Sequence, residues 1–202
     1  MQSWSPTWTP APTEHRTLTL QQWSELPEDE GGELVDGRLA EEEVPDPAHE
    51  LAVSWLIALL VDWLRGRGGF VLGSDAKLRI SPHRGRKADV VIYLPGSPAP
   101  PRRGLLESPP DVLVEVVTPT PRDERRDRVE KMDEYAAIGV PCYWIVDPAL
   151  GSFEVFALTP ERRYARALAA TGGRLTEVPG CPGLAIDVDE LWRELDRLAP
   201  EP

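Results

Sequence analysis

Two cysteines in 202 residues, Cys142 and Cys181, are too few for a disulfide framework. Only three histidines are present (His15, His49 and His83), and they lie far apart, which argues against a Cys/His zinc site. No run reaches the roughly 18 apolar residues needed to span a bilayer. The longest candidate, Leu51 to Leu64, is shorter and contains Asp62. The N-terminal MQSWSPTWTP lacks a basic stretch followed by an apolar one, so it does not read as a secretory signal. These absences lead to the expectation of a cytoplasmic protein without a membrane segment. Positive charge is also scarce: 22 Lys and Arg stand against 34 Asp and Glu, a net charge of −12. Its distribution is uneven. Residues 1–76 carry net −10, residues 77–131 net +4 and residues 132–202 net −6. A relatively basic middle third could face phosphates, but solvated Arg-rich turns explain it equally simply, so charge alone decides nothing.

What remains is the composition of one ordinary globular domain, 41% hydrophobic and 28% charged. The first sixteen residues, with three Pro, two Trp and no periodicity, read as a loose arm; residues 17–198 read as a single domain. Leu18 to Leu26 suits a short helix. Asp36-Gly37 between two short apolar runs predicts a hairpin. Asp46-Pro47 predicts the cap and first turn of a helix reaching about Arg65, with Val53, Leu56, Ile57, Leu60 and Leu64 on its apolar stripe. Strands are expected at 70–72, 76–80 and 88–94, with Ser81 to Arg86 as a turn. Six prolines in 95–110 predict an irregular loop. Asp111–Thr118 (DVLVEVVT) reads as a strand buried on both faces. A helix from about Arg122 to Ile138 follows, with Val129, Met132 and Ala136 inward and Gly139 as its stop. Cys142–Val146 is a second buried strand. Runs at 153–158, 164–169 and 175–178 read as an antiparallel meander, and Asp187 caps a last helix reaching about Leu198. The fold class is α/β (α+β), with a βαβ unit formed by the 111–118 strand, the helix after it and the 142–146 strand.

Glu115 is the most informative residue. A carboxylate inside VLVEVV costs several kcal/mol unless a metal ion, a cation or a shared proton neutralises it. Burial alone leaves a metal ligand and an ion pair with one of the nineteen Arg evenly balanced. Asp89 opens the strand Val90-Val91-Ile92-Tyr93-Leu94. Alone it reads as a strand-end solvent contact; together with Glu115 it makes a hard-oxygen site suited to Mg2+ or Mn2+. Lys131, one of three lysines, lies on the helix after the Glu115 strand and could pack back to orient or deprotonate water, or to stabilise transition-state charge. Its local alternative is a surface pair with Asp127.

Lys87-Ala88-Asp89-Val90-Val91-Ile92, the stretch from Pro109 to Thr120, and the stretch from Lys131 through Tyr135-Ala136-Ala137-Ile138-Gly139 to Asp147-Pro148 together resemble the Uma-two restriction-endonuclease family. That family is a branch of the PD-(D/E)XK nuclease superfamily. Glu33-Leu34-Val35-Asp36-Gly37 and Pro182-Gly183-Leu184 fit the same pattern, so the resemblance spans roughly residues 17–195. It implies a restriction-endonuclease-like core with a mixed central sheet flanked by helices, and a metal-dependent phosphodiesterase acting on DNA. Asp89 and Glu115, with the Val116 carbonyl, would hold Mg2+ or Mn2+. Lys131 would be the catalytic lysine, supplied from the following helix because Val117 stands where the superfamily usually has it. His49 could touch phosphate or water, and Glu33 is a possible further acidic ligand; for both, capping or surface polarity is at least as good a reading. Ala88 replaces the proline usual before the first carboxylate. The turn 84–87 and Arg122, Arg125, Arg126 and Arg128 could meet backbone phosphates.

The rival expectation keeps the fold without turnover, as a protein that binds nucleic acid or a partner, with both carboxylates paired to Arg. A two-carboxylate hydrolase such as a glycosidase ranks last. Oligomeric state is not written in the sequence, although an enzyme that cuts both strands often works as a homodimer.

Overall fold

The computed structural model describes residues 17–27, 30–40 and 45–199; the expected arm at 1–16 lies outside these. Thr19 caps a short helix, α1 (Leu20–Ser24), in a reciprocal capping box with Gln22. Strands β1 (Glu33–Val35) and β2 (Arg38–Ala40) form the expected hairpin. Asp36 and Gly37 both take positive φ, 50° and 77°, the backbone of a tight two-residue turn. Helix α2 (Pro47–Leu64) starts at Asp46, whose side chain accepts the His49 N–H. Then come β3 (Phe70–Leu72), β4 (Lys77–Ser81), β5 (Arg84–Lys87), β6 (Val90–Tyr93) and β7 (Val112–Val116). The expected turn at 81–86 is therefore shorter, because Arg84 to Arg86 belong to a strand that pairs with β4 and β1. Gly85 is required there: a Cβ would sit 2.1 Å from the Trp23 ring.

After β7 the chain is helical from Pro121 to Ile138, in three parts: α3 (Pro121–Arg125), a π-helical turn (Arg126–Lys131) and α4 (Met132–Ile138). Gly139, in the left-handed region, ends it. The remaining elements are β8 (Cys142–Asp147), β9 (Ser152–Leu158), β10 (Tyr164–Ala170), β11 (Arg174–Leu175), β12 (Ile186–Asp187) and α5 (Val188–Leu195). The third strand of the expected meander does not join β9 and β10; it pairs instead with β12.

The central sheet has the order β10-β9-β8-β7-β6-β3 and is mixed: β7 and β8 are parallel, as the βαβ reading requires, and every other pair is antiparallel. A second sheet, β2-β1-β5-β4, stands beside it. Alternation along β7 sends Val112, Val114 and Val116 into a core shared with α2 and α5. Leu113 and Val117 face the opposite core with Tyr135, Tyr143 and Ile145. By length and composition α2, at 18 residues, could cross a membrane, so length alone does not exclude it. Its Val53, Leu56, Leu60 and Leu64 are buried on the sheet, as a core helix requires.

Candidate active site

The register between β6 and β7 pairs Val90 with Val114, which puts Asp89 across from Glu115. Directly opposed residues of antiparallel strands turn their side chains to the same face, with Cβ atoms about 5 Å apart. Asp89 Oδ2 also accepts the Val116 N–H at 2.7 Å, which ties the first carboxylate to the strand that carries the second. Both carboxylates are buried.

Lys131 does not point to solvent. Its Nζ lies 2.9 Å from Glu115 Oε2 and donates to the Lys87 carbonyl at 3.1 Å. It is also 3.4 Å from Glu33 Oε1 and 3.6 Å from Asp127 Oδ1. Tyr135 OH donates to the other Glu115 oxygen at 2.8 Å. Of the cations open to Glu115 it is thus Lys131, packed back from the helix after the strand, rather than one of the arginines, that meets the carboxylate. The Asp127 contact exists, but inside the protein rather than on its surface. His49, at the start of α2, is buried with Nε2 3.2 Å from Asp89 Oδ2. That approach is poorly aligned, and neither ring nitrogen has a hydrogen-bond partner.

Glu33 is no surface residue. It is buried, accepts the Lys87 N–H at 3.0 Å and Arg86 Nη1 at 2.6 Å, and so fastens the β1–β2 hairpin to the site. Arg86, expected to meet phosphates, is buried as well and holds Glu134 through Nε and Nη2. Arg84 is engaged by Glu134 and Asp36, and Arg128 by Asp147 and Glu154. Of the cations expected to face DNA, Arg122 and Arg125 are largely exposed, while Lys87 and Arg126 line the cavity above Asp89. That cavity has a volume near 110 Å³ and is walled by His49, Asp89, Lys131 and Glu33.

Acid exceeds base here. Burial pushes the Asp89 carboxyl up to about 6, against the opposing pull of Lys131 and His49. Burial also drives Glu115 well above the usual carboxylate range, helped by the nearby Asp89, Asp127 and Glu33, with Lys131 opposing. For Lys131, burial would lower the ammonium, but Glu115, Glu33 and Asp127 outweigh it and hold it well above an ordinary lysine. Glu33 is likewise lowered despite its burial, by Lys131 and Arg86.

Among the described residues no three His, Cys, Asp or Glu side chains form a ready metal cage. A small hard cation does not need one: Mg2+ commonly binds through one or two carboxylates and keeps several waters. Two adjacent buried carboxylates that resist ionisation, all-oxygen donors and a neighbouring cavity fit such an ion. Each Glu115 oxygen, although already bonded once, retains a second lone pair.

Comparison with known proteins agrees with this architecture. No curated protein matches the chain. A crystal structure described as "a putative nuclease belonging to DUF820 from Anabaena variabilis ATCC 29413" superposes with a TM-score of 0.69, at 16% identity, over 88% of this chain and 99% of that one. At that identity the likeness establishes a shared fold, the restriction-endonuclease-like sheet flanked by helices. Residues 19–189 match the sequence pattern of Uma2, described as "Putative restriction endonuclease", and the chain belongs to that family.

Proposed function

We propose that the protein is a Mg2+- or Mn2+-dependent endonuclease that hydrolyses phosphodiester bonds of DNA. The observation that carries this reading is the meeting of Asp89 and Glu115 across one strand pair, with Lys131 Nζ 2.9 Å from Glu115, beside an open cavity. Asp89 and Glu115, with the Val116 carbonyl, would hold one ion, which supplies Lewis-acid polarisation of the phosphodiester and a more acidic water. Lys131, kept cationic by the carboxylates around it, balances the charge that develops on the phosphoryl oxygens and orients the attacking water. Tyr135 fixes the Glu115 carboxylate from its other side. His49 stands against Asp89 at the cavity wall, its Nε2 3.2 Å from Asp89 Oδ2 and both ring nitrogens buried, so it acts on the first carboxylate rather than on the phosphate directly. Arg126 and Lys87 border the same opening.

The test is nicking of supercoiled plasmid with Mg2+ or Mn2+, beside an EDTA control and Glu115→Gln. The expected result is metal-dependent nicking by wild type and none by the variant, with circular dichroism showing the variant folded. Unchanged nicking by Glu115→Gln removes the site from the reaction. One observation favours a second reading, a protein that binds nucleic acid or a partner without turnover: Lys131 and Tyr135 already engage both Glu115 oxygens. Calorimetric titration with Mn2+ separates the two. Heat that disappears in Asp89→Ala supports the nuclease, and an absence of heat in wild type supports the binding protein.

A further inference from the structure

The helical segment after β7 buries Asp123, Asp127, Lys131 and Tyr135, four residues spaced by four. In a regular α-helix each such step drifts about 40° around the axis, so four positions in this spacing spread over about 120°. The π turn at Arg126–Lys131, with its wider i→i+5 closure, takes up that drift inside the stripe. At its end and just after it, Lys131 and Tyr135, four residues apart on one helical face, meet the two oxygens of one carboxylate, while Val129 within the turn is 53% exposed.

Two details mark Asp127 within this turn. Its carbonyl accepts Tyr143 OH from β8 at 2.9 Å, which anchors the widened turn to the central sheet. Its side chain is fully buried, with Oδ1 3.2 Å from Arg126 Nε and 3.6 Å from Lys131 Nζ, and with Oδ2 lacking any hydrogen-bond partner. A buried carboxylate oxygen left without a partner costs free energy. The ammonium of Lys131 has three protons. Glu115 and the Lys87 carbonyl take two at hydrogen-bond distance, while Asp127 and Glu33 stand farther off, at 3.6 and 3.4 Å.

We propose that Asp127 is a positioning residue for Lys131: held by the π turn and its Tyr143 anchor, it steers the ammonium onto Glu115 while leaving the third N–H for a water or phosphate oxygen. This rests on the reading of Lys131 as a catalytic group. In Asp127→Asn the shape is kept and the charge lost, and Tyr143→Phe removes the anchor alone.

The test is a double-mutant cycle between Asp127→Asn and Lys131→Met, measured in two ways. In metal-dependent nicking, Asp127→Asn lowers kcat roughly 10–100-fold, as loss of an orienting partner does, with KM little changed; in the Lys131→Met background it has no further effect. In urea unfolding, which needs no substrate, Asp127→Asn changes stability differently with and without Lys131. Tyr143→Phe lowers kcat in the same direction. Equal effects of Asp127→Asn in both backgrounds, in either measurement, overturn the proposal. Should wild type cleave no nucleic acid, the nuclease reading fails, and the urea cycle still decides whether Asp127 holds Lys131.

Discussion

Burial pushes the Asp89 carboxyl up to about 6 from an ordinary value of 3.8, and this has a direct consequence for stability. Below about pH 3.8 the group is protonated in folded and unfolded chains alike and carries no penalty. As pH rises toward 6 the unfolded chain ionises first, so the folded state is progressively disfavoured, by roughly 3 kcal/mol once above 6. The metal-free protein should therefore lose this increment between about pH 4 and 6. Asp89→Asn should raise the thermal midpoint at pH 7.5 in EDTA and leave it little changed near pH 4. Scanning calorimetry of both proteins at the two pH values checks this, and equal midpoints at pH 7.5 would show that Asp89 is not strained. Added Mg2+ should stabilise wild type and not the variant, because a cation between the carboxylates removes the penalty that Asn has already removed.

At the scale of elements, Arg86 is the pin between three of them. From β5 it reaches Glu33 on β1 and Glu134 on α4, all three buried. Removing one partner of a buried ionic group leaves the others uncompensated, at a cost of about 3–5 kcal/mol. Arg86→Ala should therefore lower the urea midpoint by that equivalent, with a loss of DNA binding only in proportion to unfolding; a variant of wild-type stability that binds DNA less well would restore Arg86 to the interface. This is also where the sequence was hard to read. The hairpin, α2 and the two parallel strands announce themselves through turn chemistry, capping and apolar runs of the right period. Arg84-Gly85-Arg86-Lys87 has no apolar alternation, so nothing local marks it as a strand, and its burial depends on carboxylates about fifty residues away in either direction. The π turn was invisible for a related reason. An α-helical period makes Val129, Met132 and Ala136 one face, whereas Val129 is exposed and Met132 only half-buried. Lys131 and Glu115 were nevertheless legible as a candidate pair, because a lone acid in a β-branched run demands a partner wherever the chain can supply one. Glu33 was legible only as a weak candidate, since a short strand next to a hairpin turn gives no sign of being covered.

For the whole molecule, a net charge of −12 sets the terms on which a polyanion can approach. The basic middle third does not offset this freely, because Arg84, Arg86 and Arg128 are already bound to carboxylates. At the cavity, Glu33 and Asp89 face the same space as Lys131. Two like charges 4 Å apart near a protein surface repel by about 4 kcal/mol, so a phosphate entering beside an ionised Asp89 meets a barrier that Lys131, shared with Glu115, only partly offsets. A divalent cation between them turns that repulsion into attraction. Binding of DNA should consequently depend on metal before any bond is broken. With a phosphorothioate duplex that resists hydrolysis, fluorescence anisotropy should show affinity rising at least about tenfold, or ~1.4 kcal/mol, from EDTA to Mg2+. Asp89→Ala should abolish the gain. Because the cations lining the cavity are Lys87, Arg126 and Lys131, a phosphate held there displaces few counterions, and the affinity should also fall only shallowly with salt, with a slope of about −2 to −4 in log–log form rather than the steep dependence of a basic DNA-binding surface. Metal-independent affinity with a steep slope would place the nucleic acid on another face, away from Asp89 and Glu115.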